Sequence, residues 1–245
     1  MKKWHKQKME AGILRELSRG RTLQAVAVAL LLLRTQSSEA ARRDSPKVTT
    51  ILVLGDSLTA GYGVKRSEAY PALLTEKLGA IGAFEVLNAG VSGDTTAGAL
   101  RRLPRYLDRP IDILILALGI NDAFRGVPVP EMRANLQSII DKTRARHPNI
   151  VLLIAGMQLP IYAGDEYVRS FGAMFAELAE RNHAASVPYL LAGVGGDPLL
   201  NQPDRLHPNA TGQKILAENV WRVLEPIARR VKGADTPTSA MRRID

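Results

Sequence analysis

The stretch Ile51-Leu52-Val53-Leu54-Gly55-Asp56-Ser57-Leu58-Thr59-Ala60-Gly61-Tyr62-Gly63 decides how the chain is read. Four apolar, largely β-favouring residues run into glycine, aspartate and serine, and two more glycines follow before any helical pattern resumes. A buried strand is therefore predicted to deliver Ser57 onto a tight turn at the carboxyl edge of a sheet. In open α/β sheets that edge is where ligands bind. A hydroxyl held there by fixed backbone acts as a nucleophile when a base reaches it.

Outward from this stretch, short apolar runs alternate with amphipathic segments. Thr49 to Leu54 reads as the first strand, and Ser67 as the cap of a helix with Tyr70, Leu73, Leu74 and Leu78 on one face. Phe84 to Leu87 is a second strand. It leads into Asn88-Ala89-Gly90-Val91-Ser92-Gly93-Asp94-Thr95-Thr96, a glycine-rich loop with an N-cap ahead of a helix running towards Leu107. Ile111 to Leu118 is the most hydrophobic strand and the expected sheet centre, because both of its faces must be covered. After Gly119-Ile120-Asn121-Asp122, Pro130 opens a helix carrying Met132, Leu136, Ile139, Ile140 and Thr143. Ile150 to Ala155 and Val187 to Leu191 read as the fourth and fifth strands, separated by a helix from Tyr167 to Asn182. A Gly/Pro-rich connection from Ala192 to Arg205 precedes a final helix, Thr211 to Val231, with Ile215, Leu216, Val220, Val223, Leu224 and Ile227 on its apolar stripe. This alternation predicts one three-layer α/β/α domain with a five-stranded parallel sheet over residues 49–231, followed by a disordered tail, 233–245.

Composition narrows the function classes. The chain has no cysteine, which excludes disulfides, thiolate metal sites and cysteine nucleophiles. Of its formal net charge of +9, five charges arise within residues 1–40, where eight Lys/Arg face three Glu. The remainder is ordinary for an α/β domain, and no basic block interleaved with aromatics suggests a nucleic-acid partner. The basic N-terminus precedes Leu23 to Leu33, apolar except for Gln24, and then Ser38-Glu39-Ala40. That order reads as a secretory signal peptide over 1–40, cleaved after Ala40, with Met9 as an alternative start and a periplasmic or secreted destination. The apolar run is too short to span a bilayer, which takes about 20 residues.

Four loops fall at one edge of the sheet in this reading: those of Ser57, of Gly93, of Asn121, and of Asp204 with His207. The chain has four histidines. His5 lies in the leader, His147 ends a helix on the opposite edge, and His183 sits near a helix end, which leaves His207 as the base for Ser57. Asp204, three residues earlier, is placed to accept the imidazole N–H and fix its tautomer. The backbone N–H groups of Ser57 and Gly93 and the side-chain amide of Asn121 form a candidate oxyanion hole. Each group alone has a structural explanation: Ser57 as a cap, Asn121-Asp122 as an Asx turn, His207-Pro208-Asn209 as a helix start. Those explanations do not account for nucleophile, base, acid and amide donor sharing one edge. Asp56 reads as a turn-stabilising residue.

Gly55-Asp56-Ser57-Leu58, Gly93 within Asn-Ala-Gly-Val-Ser-Gly-Asp, Gly119-Ile120-Asn121-Asp122 and Asp204-Arg205-Leu206-His207 together resemble the four signature blocks of the SGNH (GDSL) hydrolase superfamily. Within it the chain is most similar to the secreted bacterial branch of acyl-CoA thioesterase I, arylesterase and lysophospholipase L1. The resemblance implies a flavodoxin-like sheet, a Ser57/Asp204/His207 triad, an oxyanion hole from Ser57, Gly93 and Asn121, and hydrolysis of acyl esters or thioesters without metal or cofactor. One departure bears on acyl-chain preference: where that branch commonly carries Leu-Pro-Asn-Tyr-Gly or a near variant, this chain reads Leu159-Pro160-Ile161-Tyr162-Ala163-Gly164. Leu159, Pro160, Ile161 and Tyr162 are the expected apolar lip of a substrate pocket. The competing readings are a carbohydrate acetylesterase with the same triad and a non-catalytic α/β ligand-binding domain. The latter lacks a dinucleotide or P-loop fingerprint and leaves Asp204 and His207 unemployed. A classical α/β-hydrolase is disfavoured because Ser57 is not within Gly-x-Ser-x-Gly.

Overall fold

Strand β1, Thr49–Gly55, has all seven residues buried, so its Thr-Thr-Ile-Leu-Val-Leu-Gly sequence fits a position covered on both faces and both edges. In the computed structural model, which describes residues 47–159 and 165–234, β1 pairs in parallel with β2, Phe84–Gly90, on one side. On its other side it pairs with β3, Ile113–Ala117. Strands β4, Val151–Ala155, and β5, Ala185–Val187, complete a parallel sheet of order β2-β1-β3-β4-β5. The order reverses between β1 and β3, and Gly55 is registered with Ala117 at their carboxyl ends. A crevice opens at such a reversal, where successive crossovers leave in opposite directions.

The helices follow the strands. Helix α1, Ser57–Ala60, leaves β1; after a 3-10 turn at Arg66–Glu68 comes α2, Tyr70–Leu78. Helices α3, Thr96–Arg102, and α4, Pro104–Leu107, follow β2, and α5, Ile120–Phe124, and α6, Val129–Arg146, follow β3. Helix α7, Asp165–Arg181, precedes β5, and α8, Ala210–Ala234, closes the described chain. Helix α2 packs with α8, while α3 and α7 both pack with α6, giving two helical layers around the sheet. Their buried faces are those the periodicity marked: Tyr70, Leu74 and Leu78; Met132, Leu136, Ile139 and Ile140; Phe171, Met174, Phe175 and Leu178; Leu216, Val220 and Leu224. Burying each such side chain contributes roughly 1.5–3 kcal/mol.

Four expectations need correction. Ser67 lies in the 3-10 turn, and α2 begins at Tyr70 with Ala69 as N-cap and Pro71 in its first turn. The helix towards Leu107 is two helices, because Pro104 lacks an N–H and starts α4 afresh. The fifth strand is Ala185–Val187 rather than Val187 to Leu191: Pro188 follows it directly and cannot donate to a ladder, and Leu190 is buried from the turn beyond by donating its N–H to the Gly156 carbonyl at 2.9 Å. Helix α8 continues to Ala234, so residues 233 and 234 belong to it; the expected leader, 1–40, and the expected tail from 235 lie outside the described residues.

Candidate active site

The nucleophile turn is built from local constraints. A Cβ added at Gly55 would meet Thr59 Oγ1 at 2.0 Å and the Ala117 carbonyl at 3.1 Å, so no side chain fits where β1 gives way to the turn. Asp56 caps α1 by accepting from the Leu58 N–H at 2.9 Å, which sets Ser57 as the first helical residue. Burial pushes the Asp56 carboxyl up to about 7; the Leu58 N–H opposes this, and the nearby charges of Asp94 and Asp122 add to it. Gln213, in the first turn of α8, braces the same turn: it accepts from the Tyr70 N–H at 2.9 Å and donates to the Leu58 carbonyl at 3.3 Å. Thr59 and Tyr70 share a buried hydroxyl–hydroxyl bond of 2.8 Å.

The base arrives on a closed loop between an antiparallel bridge at Asn201 and Pro208, with the Gln202 N–H donating to the His207 carbonyl at 2.8 Å. Asp204 Oδ1 accepts from the backbone N–H groups of Leu206 and His207 at 2.9 and 3.0 Å, and its Oδ2 lies 2.7 Å from His207 Nδ1. The His207 N–H, then the His207 ring and the Leu206 N–H, lower the Asp204 carboxyl to about 2, so it is a carboxylate at any ordinary pH. A carboxylate at Nδ1 assigns the ring proton there and leaves Nε2 as an acceptor. Nε2 lies 2.9 Å from Ser57 Oγ, across 150 residues of sequence. Of the three histidines among the described residues, His207 is the one brought to the serine.

The three expected oxyanion donors share a property. Asn121 Nδ2 is buried and makes no hydrogen bond among the described residues, and the N–H groups of Ser57 and Gly93 have no acceptor there either. A buried unsatisfied amide costs roughly 1–3 kcal/mol, so its presence calls for a functional reason. Gly93 has φ +75°, a conformation costly to other residues, and Arg125 Nη2 donates to its carbonyl at 2.9 Å. Asn121 sits on α5 beside Asp122, which is buried and accepts from the Thr96 N–H at 2.9 Å and the Thr96 hydroxyl at 2.6 Å. The Gly93 and Asn121 loops are thus joined twice.

Arg102 joins the Gly93 loop to the serine turn. Its Nε bonds Asp94 Oδ2 at 2.6 Å and its Nη2 donates to the Gly55 carbonyl at 2.9 Å, with both charged side chains nearly buried. Sequence reasoning missed Arg102, Asp122, Thr96, Gln213 and Arg125 as parts of the site. The only linear hint was Asp94-Thr95-Thr96, read correctly as an N-cap, in which Thr95 Oγ1 accepts from the Gly98 N–H. Of the expected pocket lip, Leu159 is half-buried against the core, while Pro160, Ile161 and Tyr162 lie outside the described residues. Among the described residues no cluster of His, Asp or Glu is arranged to hold a metal ion.

A serine on a rigid turn, an imidazole with its free nitrogen on that hydroxyl, and spare donors beside them define a serine-type hydrolase of ester bonds. Residues 53–215 match the GDSL-like lipase/acylhydrolase family. The chain is 39% identical to Esterase TesA of Pseudomonas aeruginosa over 73% of its own length and 89% of the relative's. It is 34% identical to Thioesterase 1/protease 1/lysophospholipase L1 of Escherichia coli K12 over 73% and 84%. Among solved structures, a psychrotrophic esterase EstA from a Pseudoalteromonas species, inhibited by monoethylphosphonate, superposes with a TM-score of 0.68 at 31% identity, covering 73% of this chain and 98% of that one. The chain belongs to the GDSL-like lipase/acylhydrolase family, and its fold is the SGNH-type α/β fold.

Proposed function

We propose that the protein hydrolyses carboxylic ester and thioester bonds of acyl substrates through an acyl-enzyme on Ser57. The observation that carries this reading is the continuous relay from Asp204 through His207 to Ser57, with bonds of 2.7 and 2.9 Å. His207 Nε2 takes the Ser57 proton as Oγ attacks the acyl carbonyl. The N–H groups of Ser57 and Gly93 and the Asn121 amide then take up the charge on the carbonyl oxygen. On collapse, His207 returns the proton to the departing alkoxide or thiolate, and water repeats both steps on the acyl-enzyme.

Three loops of the site also carry an exposed large apolar side chain: Val91 before Gly93, Phe124 after Asn121 and Leu206 beside His207. That rim supports hydrocarbon acyl groups over an acetyl group on a polar sugar. The relatives named for esterase, thioesterase and lysophospholipase activities support the same substrate class. The leader pattern supports export to the periplasm, and cleavage after Ala40 would leave β1 intact. The test is hydrolysis of p-nitrophenyl acetate, butyrate, octanoate and palmitate, of acyl-CoA and of lysophospholipid by the protein and its Ser57→Ala variant. Medium-chain activity that falls by at least about 10⁴ in the variant is expected. Activity confined to acetate would move the assignment to a deacetylase, and activity retained in Ser57→Ala would overturn the triad.

A further inference from the structure

The acyl-transfer scheme leaves Tyr62 without a role, yet its ring lies against the base. The Tyr62 and His207 ring centroids are 4.6 Å apart with planes inclined by 46°. Tyr62 is half exposed, and its hydroxyl makes no hydrogen bond among the described residues, so burial of the phenol does not explain the contact. Its backbone is held from both sides: the Tyr62 N–H donates to the Ser57 carbonyl at 3.0 Å, and Gln202 Nε2 donates to the Tyr62 carbonyl. The same Gln202 donates its own N–H to the His207 carbonyl. Nucleophile, tyrosine, glutamine and base are thereby connected in one chain of hydrogen bonds and a ring contact. The Gln202 side chain fits against Gly63, where an added Cβ would meet its Oε1 at 2.1 Å.

We infer that Tyr62, clamped by Gln202, is a positioning residue that holds the His207 imidazole in its working orientation. His207 sits on an edge loop with its ring about one quarter exposed, at 24%, and its partner carboxylate still more so, at 39%. Hydrogen bonds at Nδ1 and Nε2 fix two ends of the ring; its face is restrained only by what packs on it. The need is greatest once Ser57 is acylated, because Nε2 has then lost the serine hydroxyl and must aim first at the leaving group and then at water. At that stage Asp204 and the Tyr62 ring hold the imidazole. The aromatic face, rather than the phenol hydroxyl, carries this role.

The inference rests on the Ser57/Asp204/His207 reading and is tested apart from it. Steady-state hydrolysis of p-nitrophenyl butyrate is measured for the wild type, Ser57→Ala, Tyr62→Phe, Tyr62→Ala, Gln202→Ala and the Tyr62→Ala/Gln202→Ala double variant, with unfolding midpoints by circular dichroism. Misplacing a catalytic group by an ångström costs up to about 10² in rate. Tyr62→Ala is therefore expected to lower kcat about tenfold with KM within about twofold, and Tyr62→Phe to stay within about twofold of wild type. Gln202→Ala should fall between them, and the double variant should be no worse than Tyr62→Ala, as coupled residues behave. A Tyr62→Ala variant with unchanged kcat, a loss confined to KM, a Phe variant as impaired as Ala, or a double variant whose loss is the product of the singles would each overturn the inference. Ser57→Ala reports separately on the triad: silence there alongside a normal Tyr62→Ala removes only the positioning role.

Discussion

Asp56→Asn should stabilise this protein, and by an amount that depends on pH. The Asp56 side chain is fully buried, with one oxygen on the Leu58 N–H and the other without a partner. Its carboxyl titrates at about 7 in the folded chain against an ordinary value of 3.8. Between those values the native state binds the proton that the unfolded state has released, so stability falls as pH rises from about 4 to 7 and is level for this group above that. This difference in proton binding then costs the protein about 4 kcal/mol of stability at pH 8, and roughly 1.5 kcal/mol at pH 5. Asparagine keeps the acceptor for Leu58 and never ionises. The variant's advantage in urea unfolding should therefore grow by about 2.5 kcal/mol between pH 5 and pH 8, with a rise in midpoint temperature of about 10 °C at the higher pH. Esterase activity should persist, because Asp56 shapes the turn and does not touch the relay. An advantage equal at the two pH values, or one that shrinks as pH rises, would refute the assignment of burial as the cause.

Asn121→Ala should lower kcat by roughly 10² to 10³ with little effect on KM, since it removes one donor to the developing oxyanion. Its unfolding free energy should hold or rise, because the buried amide is unsatisfied in the native state; a loss of more than about 1 kcal/mol in urea melts would contradict that. Arg102→Met should destabilise by about 3–5 kcal/mol in the same melts, leaving the Asp94 carboxylate nearly buried without its partner. It should also lower kcat, because the Gly55 and Gly93 segments lose their tie.

What could be read in advance was local. Gly55-Asp56-Ser57 announced a strand entering a turn, and the turn is as tight as its glycine requires. His207 stood out because His5 fell in the expected leader, His147 on the opposite edge and His183 near a helix end. Asp204 stood three residues from it, a separation that a single turn spans. The fifth strand was misplaced for an equally local reason: Val187 to Leu191 is as apolar as a strand, but apolarity does not reveal that Pro188 interrupts the ladder and that Leu190 is buried from a turn. The supporting charges were illegible. Nothing near Arg102 in the chain indicates that its guanidinium is nearly buried and reaches the carbonyl of Gly55, 47 residues earlier.

The sequence by itself determined the elements and the inventory of reactive groups, because strand and helix periods, prolines, glycines and caps act within a few residues of themselves. Only the tertiary structure decided which side of β1 each later strand would take, and so opened the crevice between β1 and β3 where Ser57 and Asn121 face one another's loops. It also decided which polar groups would be paired and which left spare. Arg102, Asp94, Asp122 and Thr96 satisfy one another across the loops, while Asn121 Nδ2 and two backbone N–H groups remain open. Hydrogen-bond satisfaction is a property of the folded interior as a whole, set by partners that no sequence window contains.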